Sequence, residues 1–159
     1  MKYAVIDVGS NTVRLCVYDV LCPEKRKFKT IMNRKIMAGL AAYIVDGAFS
    51  DEGIAEAILA VKKCIKRASY LSPDRIDVFA TAVLRNISNS AQAIAAIEQG
   101  AGCSISLLSN ADEAHLGFVG ASSRGTLDDG ALIDIGGGST EITVIENGID
   151  VARTSLPQG

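Results

Sequence analysis

The chain has 159 residues, of which 48% are hydrophobic and 21% charged, and these proportions indicate a globular fold and not a disordered chain. Lys and Arg number 16 against 18 Asp and Glu, so the net charge of −2 creates no basic field for nucleic acid or membrane surfaces. No apolar run approaches the roughly 18–20 residues that span a bilayer, and no signal peptide is evident. We therefore expect a cytoplasmic protein that binds neither nucleic acid nor membrane.

The pattern of apolar and polar residues predicts the order βββ-α-β-α-β-α, followed by a second βββ meander. Residues 36–49 show weak periodicity and predict an irregular connector. A polar linker over residues 124–130 separates the two parts. The strands are predicted at 3–6, 13–20, 27–34, 76–80, 105–108, 131–136, 140–146 and 149–155, and the helices at 51–68, 89–99 and 110–122.

Helix ends carry their own signals. Ser50 precedes two acidic residues and an apolar stripe at helical spacing, which predicts a serine N-cap. Gly100 predicts the end of the second helix, because glycine commonly terminates helices. Ser109 predicts another N-cap, and Asp112, three residues on, has the approximate role of a capping-box acid.

The most informative motif is Asp134-Ile-Gly-Gly-Gly-Ser-Thr-Glu141, which lies between two apolar segments. Three consecutive glycines between strands predict a tight turn whose successive N–H groups suit a phosphate. The carboxylates at both ends could hold a divalent cation and its waters. Alternatively, the run is a plain glycine-rich hairpin with two solvated acids.

A second loop of the same plan occurs near the N-terminus, in Asp7-Val-Gly-Ser-Asn-Thr12. It also joins two apolar segments, so the glycine again connects strand to strand. The glycine loops of P-loop and Rossmann proteins open a helix instead, and neither fingerprint occurs in this chain. Two such hairpins in one chain predict two related halves that clasp phosphates from opposite sides.

These two loops resemble the phosphate-loop motifs of the exopolyphosphatase/guanosine pentaphosphate phosphatase family, in the superfamily of actin, hexokinase and heat-shock chaperone ATPases. The resemblance implies an α/β fold. Residues 1–124 would form an actin-like (ribonuclease H-like) domain with a five-stranded mixed sheet flanked by helices. Residues 125–159 would supply the first three strands of a second, truncated actin-like domain. Three further segments resemble the family: Ala80-Thr-Ala-Val-Leu-Arg85, Ser109-Asn-Ala-Asp-Glu-Ala114 and Ser155-Leu-Pro-Gln-Gly159.

The resemblance also assigns candidate site residues. Glu113 matches the family's catalytic glutamate and would activate water, while Arg85 would contact phosphate oxygens with its planar fork. Asp112 stands where the family has a second glutamate, and the only histidine, His115, stands where the family often has arginine. We expect His115 to be structural. The proposed phosphate ligands are Gly9, Ser10, Asn11, Gly136, Gly137, Gly138, Ser139 and Thr140, and the proposed Mg²⁺ ligands are Asp134, Glu141 and Asp7.

The implied activity is hydrolysis of terminal phosphoanhydride bonds in inorganic polyphosphate or guanosine pentaphosphate, and the sequence does not separate these substrates. Two alternatives remain: an ATP-dependent kinase of the same superfamily, and a non-catalytic module that binds a polyanion or nucleotide. Because the phosphate clasp needs both halves, we expect the isolated chain to be inactive. The bare second meander should expose an apolar face, so we also expect self-association into a homo-oligomer.

Overall fold

The computed structural model describes residues 1–24, 27–123, 125 and 127–159. The chain divides into two compact units, Met1–Leu107 and Leu108–Gly159. The boundary that we placed between residues 124 and 125 falls inside the second unit, and Arg124 lies outside the described residues.

The first unit is built on a five-stranded mixed sheet. The strand order is β3-β2-β1-β6-β7, in which β1 and β2 and then β2 and β3 are antiparallel, whereas β6 runs parallel to both β1 and β7. This arrangement confirms the predicted α/β fold class. The elements are β1 (Lys2–Val8), β2 (Thr12–Cys22), β3 (Lys27–Met37), a 3₁₀ turn (Leu40–Tyr43), β4 (Ile44–Val45), β5 (Ala48–Phe49), α1 (Asp51–Ser69), β6 (Arg75–Ala80), α2 (Ala82–Arg85), α3 (Ser90–Ala101) and β7 (Ile105–Leu107).

The core of the first unit lies between this sheet and its helices. Alternate residues of β1 and β2 are fully buried, because successive side chains of a strand point to opposite faces. The other alternate residues, among them Asp7 and Arg14, are only partly buried. The period-two pattern therefore places Asp7 at the end of β1 on the face away from the core.

Two helix ends test the signals read from sequence. The Ser50 Oγ accepts a hydrogen bond of 3.2 Å from the Gly53 amide, which confirms the predicted N-cap of α1. The predicted end of α3 at Gly100 is wrong, since the helix continues to Ala101 and ends at Gly102, whose φ is 70°. A Cβ at Gly100 would lie 2.5 Å from the Ile58 Cδ1. Gly100 is therefore explained by the close approach of α1 and α3.

The second unit consists of one helix on a three-stranded antiparallel sheet of order β10-β9-β8. Alternate residues of β9, namely Glu141, Thr143 and Ile145, are buried, and the Thr143 hydroxyl lies 3.4 Å from the Ala114 carbonyl oxygen of the helix. The elements are α4 (Asn110–Ser122), β8 (Gly130–Ile135), β9 (Thr140–Glu146) and β10 (Ile149–Leu156).

Apolar side chains of all three strands in the second unit are exposed, which confirms the expected apolar face of the meander. Self-association through it stays a prediction. The exposed residues of the apolar face are Ile133, Ile135, Val144, Ile149, Val151 and Leu156.

None of the helices in the described part of the chain is long and apolar enough to cross a bilayer.

Candidate functional site

The first predicted phosphate loop is a tight turn between β1 and β2. The Gly9 amide donates to the Thr12 carbonyl oxygen at 3.1 Å and closes the turn. The carbonyl oxygens of Ser10 and Asn11 accept hydrogen bonds of 2.9 to 3.2 Å from three backbone amides that follow β3. The backbone of this loop is therefore held in place before any ligand binds.

The second predicted loop, between β8 and β9, closes in the same way. The Gly136 amide donates to the Ser139 carbonyl oxygen at 2.9 Å, the equivalent of the bond from Gly9 to Thr12. A Cβ would lie 3.2 Å from the Thr12 oxygen if added to Gly9, and 3.0 Å from the Ser139 oxygen if added to Gly136. Both glycines are thus favoured by the same close backbone approach, and the two loops are one kind of turn.

The two hairpins differ in the residue that stands directly opposite the aspartate. Asp7 on β1 is paired with Arg14 on β2, whereas Asp134 on β8 is paired with Glu141 on β9. Directly opposed side chains share a face of the sheet, with Cβ atoms about 5 Å apart. The first hairpin therefore opposes an acid to a base, and the second opposes two acids, a destabilising arrangement unless a cation lies between them.

The environment of the acid pair suits a hard cation. Glu141 is only 5% exposed, and its Oε1 accepts a hydrogen bond of 2.8 Å from the Ser155 hydroxyl. Asp134 is exposed, and its Oδ2 lies 3.8 Å from where a Cβ on Gly117 of α4 would be. Magnesium commonly takes one or two carboxylates and completes its shell with waters and substrate phosphates. The oxygen donors of Asp134 and Glu141 therefore fit this ion.

No group of three or more His, Cys, Asp or Glu residues that could hold a metal occurs within the described ranges. The acid pair would accordingly offer two protein ligands to a cation, and cation binding there stays a prediction. Asp7, the third proposed ligand, belongs to the first unit and Asp134 to the second. Its part in metal binding stays a prediction.

Helix α4 begins at a serine cap that also engages the neighbouring acid. The Ser109 Oγ accepts from the Asp112 amide at 3.1 Å and donates to the Asp112 Oδ2 at 2.6 Å. The N-cap is confirmed, but the carboxylate bonds the serine hydroxyl where a capping box would use the serine amide. Glu113 follows in the first turn, half-buried, one turn before Gly117 and hence about 6 Å along the helix from it. The residue of α4 that lies beside Asp134 is Gly117, and the role of Glu113 at the acid pair stays a prediction.

The model of the Ppx/GppA phosphatase family matches residues 22–159. The chain belongs to the Ppx/GppA phosphatase family.

Solved structures show the same fold along the entire chain. An exopolyphosphatase from Cytophaga hutchinsonii is 26% identical with a TM-score of 0.89, and the match covers 100% of this chain and 51% of that one. A Ppx/GppA family member from Aquifex aeolicus is 23% identical with a TM-score of 0.84, over 100% of this chain and 52% of that one. The ethanolamine utilization protein EutJ from Carboxydothermus hydrogenoformans, 23% identical over 100% of this chain and 53% of that one, has a TM-score of 0.59. The chain thus spans about half the length of the solved Ppx/GppA proteins it matches.

His115 takes part in a side-chain hydrogen bond inside the second unit. Its Nδ1 lies 2.7 Å from the Asp150 Oδ2, and the Arg153 Nε donates to the same oxygen at 2.8 Å. The hydrogen bond with His115 holds the pKa of the Asp150 carboxyl below its usual value, and the charge of Arg153 acts in the same direction. These contacts tie α4 to β10, in keeping with the expected structural role of His115.

The remaining predicted site residues divide between the units. Arg85 is the last residue of α2 in the first unit, and its Nε and Nη2 atoms are buried. In the second unit Ser139 is 3% exposed, and the Thr140 hydroxyl donates to the Gln158 carbonyl oxygen at 2.6 Å. The Thr140 hydroxyl proton thus already has an acceptor within the chain. Each unit carries one hairpin, and the roles of these residues towards phosphate stay predictions.

Sequence reasoning missed one residue at the acid pair. In the sequence Ser155 is only the first residue of a family-like segment, yet its hydroxyl bonds Glu141 directly. The two residues are 14 apart in the chain, so their contact depends on how β9 and β10 are paired. The Ppx/GppA-like segment was the only available signal.

Proposed function

We propose that this chain carries the phosphate- and cation-binding hairpins of a magnesium-dependent hydrolase. The substrates would be inorganic polyphosphate or guanosine pentaphosphate, cleaved at the terminal phosphoanhydride bond. The observation that carries the proposal is the opposition of Asp134 and Glu141 beside a closed glycine turn. Two acids directly opposed on a sheet repel each other, and a bound cation would turn that repulsion into attraction.

Each hairpin would hold phosphate mainly by the backbone amides of its own turn. Because the amides of Gly9 and Gly136 close their turns, we assign phosphate contacts to the amides that follow each glycine. Arg85 would add a bidentate contact to phosphate oxygens. Magnesium, when bound, would neutralise charge on the phosphates and orient them for in-line attack.

Glu113 would accept the proton of the attacking water. The water oxygen then bonds to the terminal phosphorus, and the bond from that phosphorus to the bridging oxygen breaks. The electron pair leaves with the shortened phosphate chain or nucleotide. Such a reaction needs positioning and charge neutralisation more than covalent chemistry, which fits a site of backbone amides and carboxylates.

The isolated chain would bind phosphates without turning them over. Each hairpin belongs to a different compact unit, and the chain spans about half of the solved family members it matches. This is the non-catalytic alternative, and we propose it for the isolated chain alone.

The test measures phosphate release and equilibrium binding with polyphosphate and with guanosine pentaphosphate, in the presence of magnesium. Glu113→Gln is compared with Glu52→Gln, which is the matched control. Glu52 is exposed in the first turn of α1, so its substitution removes the same charge from a similar helix end. Release that is lost only in Glu113→Gln supports the hydrolase and overturns the proposed inactivity of the isolated chain, and equal release in both variants excludes Glu113 as the base. Binding without release supports the non-catalytic alternative. If neither substrate binds, the proposed function is wrong.

A further inference from the structure

One cross-strand row of the second unit continues beyond the acid pair. Asp134 on β8 stands opposite Glu141 on β9, and Glu141 stands opposite Ser155 on β10. Residues directly opposed in antiparallel strands share a face, so the three polar side chains form a line on one side of the sheet. Glu141 occupies the centre of this line.

A β-bulge determines that a serine stands at this position. The pairing of β10 with β9 shifts by one residue between Asp150 and Ala152. With unbroken pairing, Thr154 would stand opposite Glu141 and Ser155 would fall one position further along. The bulge moves every later residue of β10 by one place and so changes which side chains reach a given face.

The Ser155 hydroxyl bonds only one of the two carboxylate oxygens. Ser155 Oγ donates to the Glu141 Oε1 at 2.8 Å, whereas no hydrogen bond to Oε2 is recorded within the described residues. The donor fixes the rotation of a carboxylate that is only 5% exposed. The hydrogen bond from Ser155 thus occupies one carboxylate oxygen of Glu141 and leaves the other oxygen available to a ligand.

The segment after Ser155 lies against the glycine turn of the same hairpin. The Gln158 carbonyl oxygen accepts from the Thr140 hydroxyl at 2.6 Å. A Cβ on Gly159 would lie 2.5 Å from both the Gly136 oxygen and the Gly138 nitrogen, so Gly159 packs directly on the turn backbone. The segment from Ser155 to Gly159 therefore contacts the hairpin at its carboxylate and at its turn.

We propose that Ser155 is a positioning residue for a divalent cation held by Asp134 and Glu141, and that it acts by orienting the Glu141 carboxylate. The inference rests on the proposed function, since it requires that the acid pair binds a cation. Hydrogen-bond partners of metal ligands commonly contribute 10- to 100-fold to affinity because they orient the ligand and satisfy its second oxygen. Ser155 is placed to do this for Glu141.

The experiment measures the affinity of this chain for Mn²⁺ alone, from the loss of the free-ion electron paramagnetic resonance signal. Ser155→Ala should weaken Mn²⁺ binding about 10- to 100-fold, and Ser155→Thr, which keeps the hydroxyl, should stay within a few-fold of the unsubstituted chain. Thr154→Ala is the matched control, since it removes a hydroxyl from the adjacent position, which is opposite Ile142. Thermal unfolding of the metal-free variants shows whether each remains folded.

A double substitution separates positioning from a general structural effect. In a Glu141→Gln background, Ser155→Ala should cause no further loss of Mn²⁺ affinity, because the carboxylate that it orients is gone. An undiminished loss in that background, or unchanged affinity in Ser155→Ala alone, overturns the role of Ser155 while the cation site stands. The absence of saturable Mn²⁺ binding in the unsubstituted chain overturns the cation site and the inference together.

Discussion

The opposed acids of the second hairpin predict that the metal-free chain gains stability when one of them is neutralised. Glu141→Gln keeps the shape of the side chain and an acceptor for Ser155, but it removes the charge that faces Asp134. Relief of a directly opposed like-charge pair is worth roughly 0.2–1 kcal/mol, and a neutral amide also costs less to bury than a carboxylate. In EDTA the variant should therefore be the more stable protein.

Magnesium should reverse this order. A cation that binds only the folded state at 100 times its dissociation constant adds about 2.7 kcal/mol to the free energy of unfolding. We expect that gain for the unsubstituted chain and little of it for Glu141→Gln. For an m-value of about 2 kcal/mol/M, the urea midpoint of Glu141→Gln in EDTA should lie about 0.1–0.5 M above that of the unsubstituted chain. Magnesium at 100 times its dissociation constant should raise the midpoint of the unsubstituted chain by more than about 1 M.

The assay is urea unfolding followed by far-UV circular dichroism, in EDTA and in a magnesium series. Glu146→Gln is the control, because Glu146 lies on the same strand but on the opposite face from Glu141, with Ile149 as its partner on β10. A Glu141→Gln variant that is less stable than the unsubstituted chain in EDTA would refute the repulsion argument. A magnesium response equal in both proteins would place the cation elsewhere.

Three further outcomes follow from contacts outside the acid pair. Gly100→Ala should destabilise the chain, because its Cβ would collide with Ile58, yet it should stabilise the Ile58→Ala variant by about 1 kcal/mol through helix propensity. If urea unfolding shows that Gly100→Ala changes the stability in the same direction with Ile58 and with Ile58→Ala, the tight packing of α1 on α3 is contradicted. Ser109→Ala should cost about 1 kcal/mol and Ser109→Gly only a few tenths, and equal costs in thermal unfolding would mean that the cap is not functional. Since the hydrogen bond with His115 lowers the pKa of Asp150, the stability from that carboxyl is present above its unfolded pKa of about 4 and is lost as the pH falls further. Asp150→Asn should be less stable than the unsubstituted chain near neutral pH, and its free energy of unfolding should fall less as the pH is lowered. If unfolding measured across the pH range shows the same loss of stability in acid for both proteins, this prediction is contradicted.

Local signals predicted the elements that are stabilised locally. Ser50 and Ser109 cap their helices as expected, because a cap involves residues only three apart in the chain. The alternating and apolar residues of β1 and β2 likewise predicted strands at these positions. The glycine turns could be predicted because the conformation depends on residues within the turn itself.

Features that depend on tertiary contacts could not be predicted in this way. Gly100 looks like a helix terminus in sequence, but it lies inside α3 because Ile58 of α1 packs over it. The short helix α2 was missed, since four residues are too few to show a helical period. The contact of Ser155 with Glu141 depends on a one-residue bulge in β10, without which Thr154 would stand opposite Glu141.

The same turn occurs twice in this chain with different charges opposite its aspartate. Neither closing hydrogen bond involves a side chain, so the conformation of the turn is independent of the residue at the opposed position. That position is Arg14 in one hairpin and Glu141 in the other. The two hairpins thus share one backbone conformation, and the charge of a single side chain decides whether the aspartate is opposed by a base or by an acid. In the cation-binding role proposed for the second hairpin, the residue at this one position would set the ion preference without a new fold.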